Sequence, residues 1–218
     1  MNIKKAFTLN ELLIAMTIIG IILIVTVPFV VSHFNKKSQV VALQRSYTSV
    51  VNAVKLLMID ERVKSITKSS LYLDEDGDVT STAGAFIKKY FNVKKDCETE
   101  TGECFASSYV NLNKQPITLP SKDEAYCALL STDASICIIP QSKNQGKPGQ
   151  VVVDVNGPQK PNIAGRDLFV FYIYMDGFIG DRVSSTGDPA TDTANCKANT
   201  YGSGCFNRII NSDWSMDY

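Results

Sequence analysis

From residue 12 to residue 34 the chain contains no Asp, Glu, Lys or Arg. A helix crossing the hydrocarbon core of a bilayer needs about 20 apolar residues. Residues 12–31 supply such a run, interrupted only by Thr17, Gly20, Thr26 and Pro28. This segment constrains the chain more than any other, because a protein that carries it is expected to be tied to a membrane. One carboxylate, Glu11, stands at its N-terminal edge.

Lys4 and Lys5 precede the run and favour a cytoplasmic N-terminus. The remainder is then expected across the membrane. A secretory signal peptide would have a shorter apolar core, about 7–15 residues, followed by a small-residue cleavage site. Residues 25–31 offer no convincing pair of small residues for such a cut. A plain signal anchor and a segment cleaved ahead of the apolar run are the other two readings.

The residues around that third site are distinctive. Lys4-Lys5-Ala6 runs into Phe7-Thr8-Leu9-Asn10-Glu11-Leu12-Leu13. This resembles the prepilin leader of the type IV pilin and type II secretion pseudopilin superfamily. In that family a membrane peptidase cuts just before the Phe and methylates the new amine. The resemblance implies cleavage between Ala6 and Phe7, with Phe7 as the N-methylated first residue. Ala6 stands where the family usually has Gly, and Asn10 where it often has Ile or Val. Pro28 falls where many members place a helix-bending proline.

A carboxylate at the edge of a bilayer is costly and usually has a partner. Cleavage before Phe7 would create an amine one helical turn from Glu11. The resemblance implies pairing of Glu11 with the Phe7 amine of a neighbouring subunit. Snorkelling of Glu11 into the headgroups is the plainer reading. Pro28 leaves the carbonyl of Ile24 without its helical partner, so Glu11 and Pro28 are the two candidate assembly residues.

The helix is expected to continue past the apolar run. Val40, Leu43, Tyr47, Val50, Val54 and Leu57 recur at helical spacing. A helix over residues 9–62 would be about 80 Å long. Its first half would span the membrane and its second half would lay one face on a sheet. A parallel coiled-coil dimer is the alternative use of that stripe, although Val41, Val51 and Met58 make it broad for a seam. A short helix is predicted over residues 82–91. Asp74-Glu75-Asp76-Gly77-Asp78 reads as a solvated turn, because its spacing does not match a calcium-binding EF-hand loop.

Strands are predicted over residues 125–130, 135–139, 150–155 and 168–175. The first two form a hairpin that sets Cys127 opposite Cys137. All six cysteines, Cys97, Cys104, Cys127, Cys137, Cys196 and Cys205, follow the apolar run. An even count in a region outside the cytoplasm reads as disulfides. Proximity favours three local bridges, though sequence leaves the pairing open. The loop between Cys97 and Cys104 lacks the paired spacing of a zinc site. Residues 201–204 read as a turn within the last bridged loop.

The stretch from Asp154 to Asp167 concentrates Asp, Asn, Gly and Pro. Each has a local backbone reason to be in a turn. Its pattern resembles pseudopilin-like proteins, some of which bind calcium in a C-terminal loop. Asp154, Asn156, Asn162 and Asp167 could supply oxygen ligands, or could equally cap backbone groups. Calcium is the one cofactor considered.

Formal net charge is zero, so no global field favours nucleic acid, and none is expected as a partner. The lone histidine, His33, is misplaced for nucleophilic catalysis, and no phosphate or dinucleotide fingerprint occurs. An enzyme is not expected. The fold class expected is α+β: a long N-terminal helix, membrane-spanning in its first half, packed on a small antiparallel sheet with disulfide-closed loops. The organisation is a leader over residues 1–6, a transmembrane and assembly helix over 7–34, and a head over 35–218. The resemblance implies a single-pass subunit of the bacterial inner membrane with a periplasmic or extracellular head. Its partners would be the prepilin peptidase, copies of itself or other pilin-like subunits, and inner-membrane assembly machinery. A secretion pseudopilin or minor pilin is the first reading. A pilus subunit for adhesion, motility or DNA uptake is the second, and a non-polymerising anchored binding or enzymatic domain the third.

Overall fold

Helix α1, Leu9–Asp60, is 52 residues long and contains Pro28 without ending there. It belongs to a computed structural model that describes residues 8–74, 77–121, 123–142, 149–181, 196 and 203–218. The chain divides into two compact units, Met1–Ser38 and Gln39–Tyr218.

In the first unit α1 is long and apolar enough to cross a membrane, and none of its most apolar window is buried. Leu12, Ile18, Ile24 and Phe29 are all at least half exposed. Two hydroxyls within this run are satisfied locally. Thr17 Oγ1 donates to the carbonyls of Leu13 and Ile14 at 3.1 and 2.8 Å, and Thr26 Oγ1 to that of Ile22 at 2.9 Å. Such back-bonding lets a polar side chain sit in an apolar helix without an orphaned donor.

In the second unit α1 buries Val40, Leu43, Ser46, Val50, Ala53, Val54 and Leu57. The stripe predicted from spacing is therefore a core face. Tyr47 is half-buried and its hydroxyl donates to the carbonyl of Ile179 at 3.2 Å.

The sheet has six strands in the order β1-β4-β5-β6-β7-β8. They are β1 Val93–Glu98, β4 Tyr126–Leu130, β5 Ser135–Ile139, β6 Gly149–Asp154, β7 Leu168–Ile173 and β8 Ile179–Gly180. Every neighbouring pair is antiparallel. A separate antiparallel pair joins β2, Tyr109–Val110, to β3, Pro116–Ile117. The class is α+β, as expected.

Side chains alternate between two buried faces, as strand geometry requires. Tyr126, Ile136, Ile138, Val151, Val153, Phe169 and Phe171 join the core that includes Leu43, Val50 and Leu57 of α1. Cys127, Cys137, Val152 and Val170 face the other way, into a second cluster with Phe105 and Tyr109. Burial on both sides explains why β5, β6 and β7 read as nearly continuous apolar runs.

A π turn over Thr80–Gly84 leads into α2, Ala85–Tyr90, which buries Phe86 and Ile87. Gly84 has a packing reason: a Cβ there would meet the Tyr126 ring at 2.7 Å. The helix α3, Cys205–Asn211, starts after Gly204, whose φ is 90°. Its N-terminal amides are held by a distant residue. The amides of Gly204 and Asn207 donate to the two carboxylate oxygens of buried Asp181 at 2.6 and 2.9 Å.

Three disulfides join Cys97 to Cys104, Cys127 to Cys137, and Cys196 to Cys205. Cys127 and Cys137 are register partners across the β4–β5 hairpin, as the symmetric spacing about its turn implies. The elements not expected from sequence include β1, β2 and α3. Residues 93–98 form an edge strand that runs into the polar loop expected between Cys97 and Cys104. Residues 205–211 form a helix, although the tail offers no strong start signal. The turn expected at residues 201–204 lies partly outside the described residues.

Candidate functional site

Two places carry the residues singled out from sequence, one in each unit. The first is the start of α1. Ala6 and Phe7, the expected processing site, lie outside the described residues. Thr8 precedes the helix, and its amide and hydroxyl donate to Glu11 Oε2 at 2.9 and 2.7 Å. The Glu11 amide donates back to Thr8 Oγ1 at 3.3 Å. This reciprocal exchange is a capping box, which satisfies donors that a helix N-terminus otherwise leaves orphaned. A carboxylate here also faces the positive end of the helix dipole. Thr8 was not singled out from sequence, although a Thr three residues ahead of a Glu at the start of an apolar run is the box's signature. His33 is exposed on the same helix.

The second place is the β6–β7 connection. Asp154 ends β6 and Asp167 immediately precedes β7; both are fully buried. Tyr109 donates from its hydroxyl to Asp154 Oδ2 at 2.5 Å, and the Asn156 amide donates to Asp154 Oδ1 at 3.1 Å. The amides of Asn162 and Ile163 donate to Asp167 Oδ2 and Oδ1 at 2.6 and 2.7 Å. Asn156 Nδ2 bridges to the carbonyls of Gln159 and Lys160 at 2.8 and 3.1 Å.

The loop therefore gathers the four candidate ion ligands but commits every carboxylate oxygen of Asp154 and Asp167 to a donor of the chain. Among the described residues, no group of three or more His, Cys, Asp or Glu side chains could hold a metal. The amide oxygens of Asn156 and Asn162 are buried without a hydrogen-bond partner. Calcium takes six to eight oxygens, so an ion here would draw on the lone pairs these carboxylates keep as well as on the two amide oxygens.

Electrostatics follow from that burial. Desolvation pushes Asp154 up to about 7, the Tyr109 hydrogen bond opposes the shift, and the nearby Asp167 charge adds to it. Burial raises Asp167 as well, against the pull of the Ile163 and Asn162 amides. The Tyr109 hydroxyl is raised too, by burial and then by the Asp154 charge. Tyr109 had no local signal in the sequence, since its partner is 45 residues away.

An apolar helix with a capped glutamate at its start thus precedes a disulfide-bridged α+β head. Residues 1–27 match the model of the prokaryotic N-terminal methylation motif, and the chain thereby carries the type IV pilin-family signature. No curated protein and no solved structure matches the chain.

Proposed function

We propose that the chain is a structural, non-catalytic subunit of a type IV pilus-like filament, cut between Ala6 and Phe7 by a prepilin peptidase and methylated on Phe7. The observation that carries this reading is the methylation motif over residues 1–27, which overlaps the exposed apolar part of α1. Stored in the inner membrane, α1 is an anchor; in a filament the same apolar surface becomes a shared core. Glu11 then exchanges its Thr8 donors for the Phe7 amine of a neighbour, and Pro28 loosens the helix for that rearrangement. The head folds beyond the membrane, where its three disulfides form.

Within that class the reading extends to a secretion pseudopilin or related minor pilin, motivated by the turn-rich stretch from Asp154 to Asp167. Copies of the chain, other pilin-like subunits and inner-membrane assembly proteins are its partners. Mass spectrometry of the mature N-terminus tests the proposal: a chain beginning at methylated Phe7 is expected. An intact Met1, or a cut after Val31, overturns it. Deleting the gene and assaying protein secretion beside motility and DNA uptake separates the two filament systems, with loss of secretion alone expected.

A further inference from the structure

Charge is segregated in a chain whose formal net charge is zero. Between Glu11 and Asp60 helix α1 carries Lys36, Lys37, Arg45 and Lys55 and no carboxylate. In the head unit, Arg45 and Lys55 are exposed and form no ion pair among the described residues. Arg45 rims a cleft of about 270 Å³ lined also by Ser49, Asn52, Leu56 and Tyr90. Lys55 follows Asn52 by one helical turn. The opposite charge is concentrated elsewhere in the same unit. The segment from Asp96 to Cys104 holds Asp96, Glu98, Glu100 and Glu103 and no cation. The Cys97–Cys104 bridge closes it, and Glu98, Glu100 and Glu103 are exposed. Lys88 pairs with Asp96 at 2.9 Å, and Lys95 pairs with Glu103, so the loop is tied to α2 and β1.

We propose that the basic face of α1 around Arg45 and Lys55 docks the acidic Cys97–Cys104 loop of a second copy of the chain. Each subunit then offers one surface and receives the other. Two different patches meeting head to tail make a heterologous contact, which propagates as an open filament when its rotation does not close. The inference rests on the filament reading and names the head contact within it. Rim ion pairs between exposed side chains contribute little affinity. Their work is orientation and exclusion of wrong registers. A disulfide-closed loop loses less freedom on docking than an open one.

Zero-length carbodiimide coupling tests the contact, because it joins a carboxylate to a lysine amine only where the two touch. Isotopically heavy and light full-length chains are mixed in neutral detergent and allowed to assemble. Amide links between Lys55 of one isotope and Glu98, Glu100 or Glu103 of the other are expected, several-fold weaker at about 1 M salt, where screening shortens to about 3 Å. The Glu98→Gln/Glu100→Gln chain is expected to lose most of them. Arg45→Glu/Lys55→Glu is expected to lose association, and mixing it with Glu98→Lys/Glu100→Lys to restore it. Links confined to single chains, or links unaffected by the glutamine changes, overturn the proposal. Filaments that form without these links sink the contact and leave the filament reading standing. Links without filaments do the reverse. If neutralising Arg45 and Lys55 spares association but abolishes binding to phosphatidylglycerol vesicles, the face meets lipid and the contact between copies is wrong.

Discussion

Thr8 and Glu11 satisfy each other at the start of α1: two Thr8 donors meet one Glu11 oxygen, and the Glu11 amide returns a bond to the Thr8 hydroxyl. The carboxylate at the edge of the apolar run therefore has a partner within its own chain before any neighbour arrives. Replacing Glu11 by Ala removes both that box and the proposed intersubunit pair. Filament yield by electron microscopy is expected to fall by an order of magnitude or more. The head is expected to melt unchanged, since its core starts at Val40. Thr8→Ala removes only the box, and a milder loss is expected. Equal assembly by parent and Glu11→Ala chains would show that the carboxylate has no assembly role.

The Tyr109–Asp154 pair makes a pH prediction with a definite sign. Asp154 is raised from its ordinary value to about 7 in the folded head. Its folded value thus lies above its unfolded one, so the stability tied to the neutral carboxyl is complete below the unfolded value. It is lost as pH rises through about 7. The loss at alkaline pH is on the order of 4 kcal/mol. Thermal unfolding of the full chain in detergent is expected to show a higher midpoint at pH 5.5 than at pH 8.5. Asp154→Asn is expected to flatten that difference. Tyr109→Phe is expected to steepen it, because the donor that favours the ionised form is gone. A parent midpoint that rises with pH over this range contradicts the assignment.

The elements that could be read from the chain are those whose period dominates composition. Val40, Leu43, Val50, Val54 and Leu57 repeat at helical spacing and become a buried stripe. β7 is an apolar run, Leu-Phe-Val-Phe-Tyr-Ile, and lies between β6 and β8. β1 carries no apolar signal because an edge strand needs only one partner: Lys94, Lys95 and Asp96 are exposed, and its register with β4 is broken by irregularities. Charged edges of this kind guard a sheet against further pairing. The start of α3 was hidden for another reason. Its cap is Asp181, whose distance in sequence no local pattern reveals. The same holds for Tyr109, which turns Asp154 from a candidate ion ligand into a hydrogen-bonded end of β6.

The three bridges close loops of similar length but stand in different surroundings. Their sequence separations are 7, 10 and 9. Loop entropy alone assigns each about 2.5 kcal/mol. Cys127 and Cys137 are both fully buried in the second cluster of the sheet, whereas Cys97 is half-exposed at an edge. Cys127→Ala/Cys137→Ala empties two fully buried positions of that cluster and Cys97→Ala/Cys104→Ala only one, Cys104, so the hairpin variant carries the larger packing loss. The hairpin variant is therefore expected to melt lower than the edge variant by several degrees. Equal midpoints in a thermal scan would mean that packing around the hairpin bridge contributes nothing.

Calcium gives the last test, because the loop from Asp154 to Asp167 can be read as an ion site or as a turn. An ion would have to share the carboxylates with the Tyr109 hydroxyl and the Asn162 and Ile163 amides, or displace those donors. Each displaced donor would then be buried without a partner, at about 1–3 kcal/mol apiece. The amide oxygens of Asn156 and Asn162 would gain a ligand, but two neutral oxygens offset little of that. A ligand that binds only the folded head raises its midpoint in proportion to the logarithm of its concentration. Millimolar calcium added to the full chain in detergent is accordingly expected to leave the melting midpoint where a chelator leaves it. A rise with calcium that Asp167→Asn abolishes would mean that the network opens to admit the ion and that the turn reading is wrong.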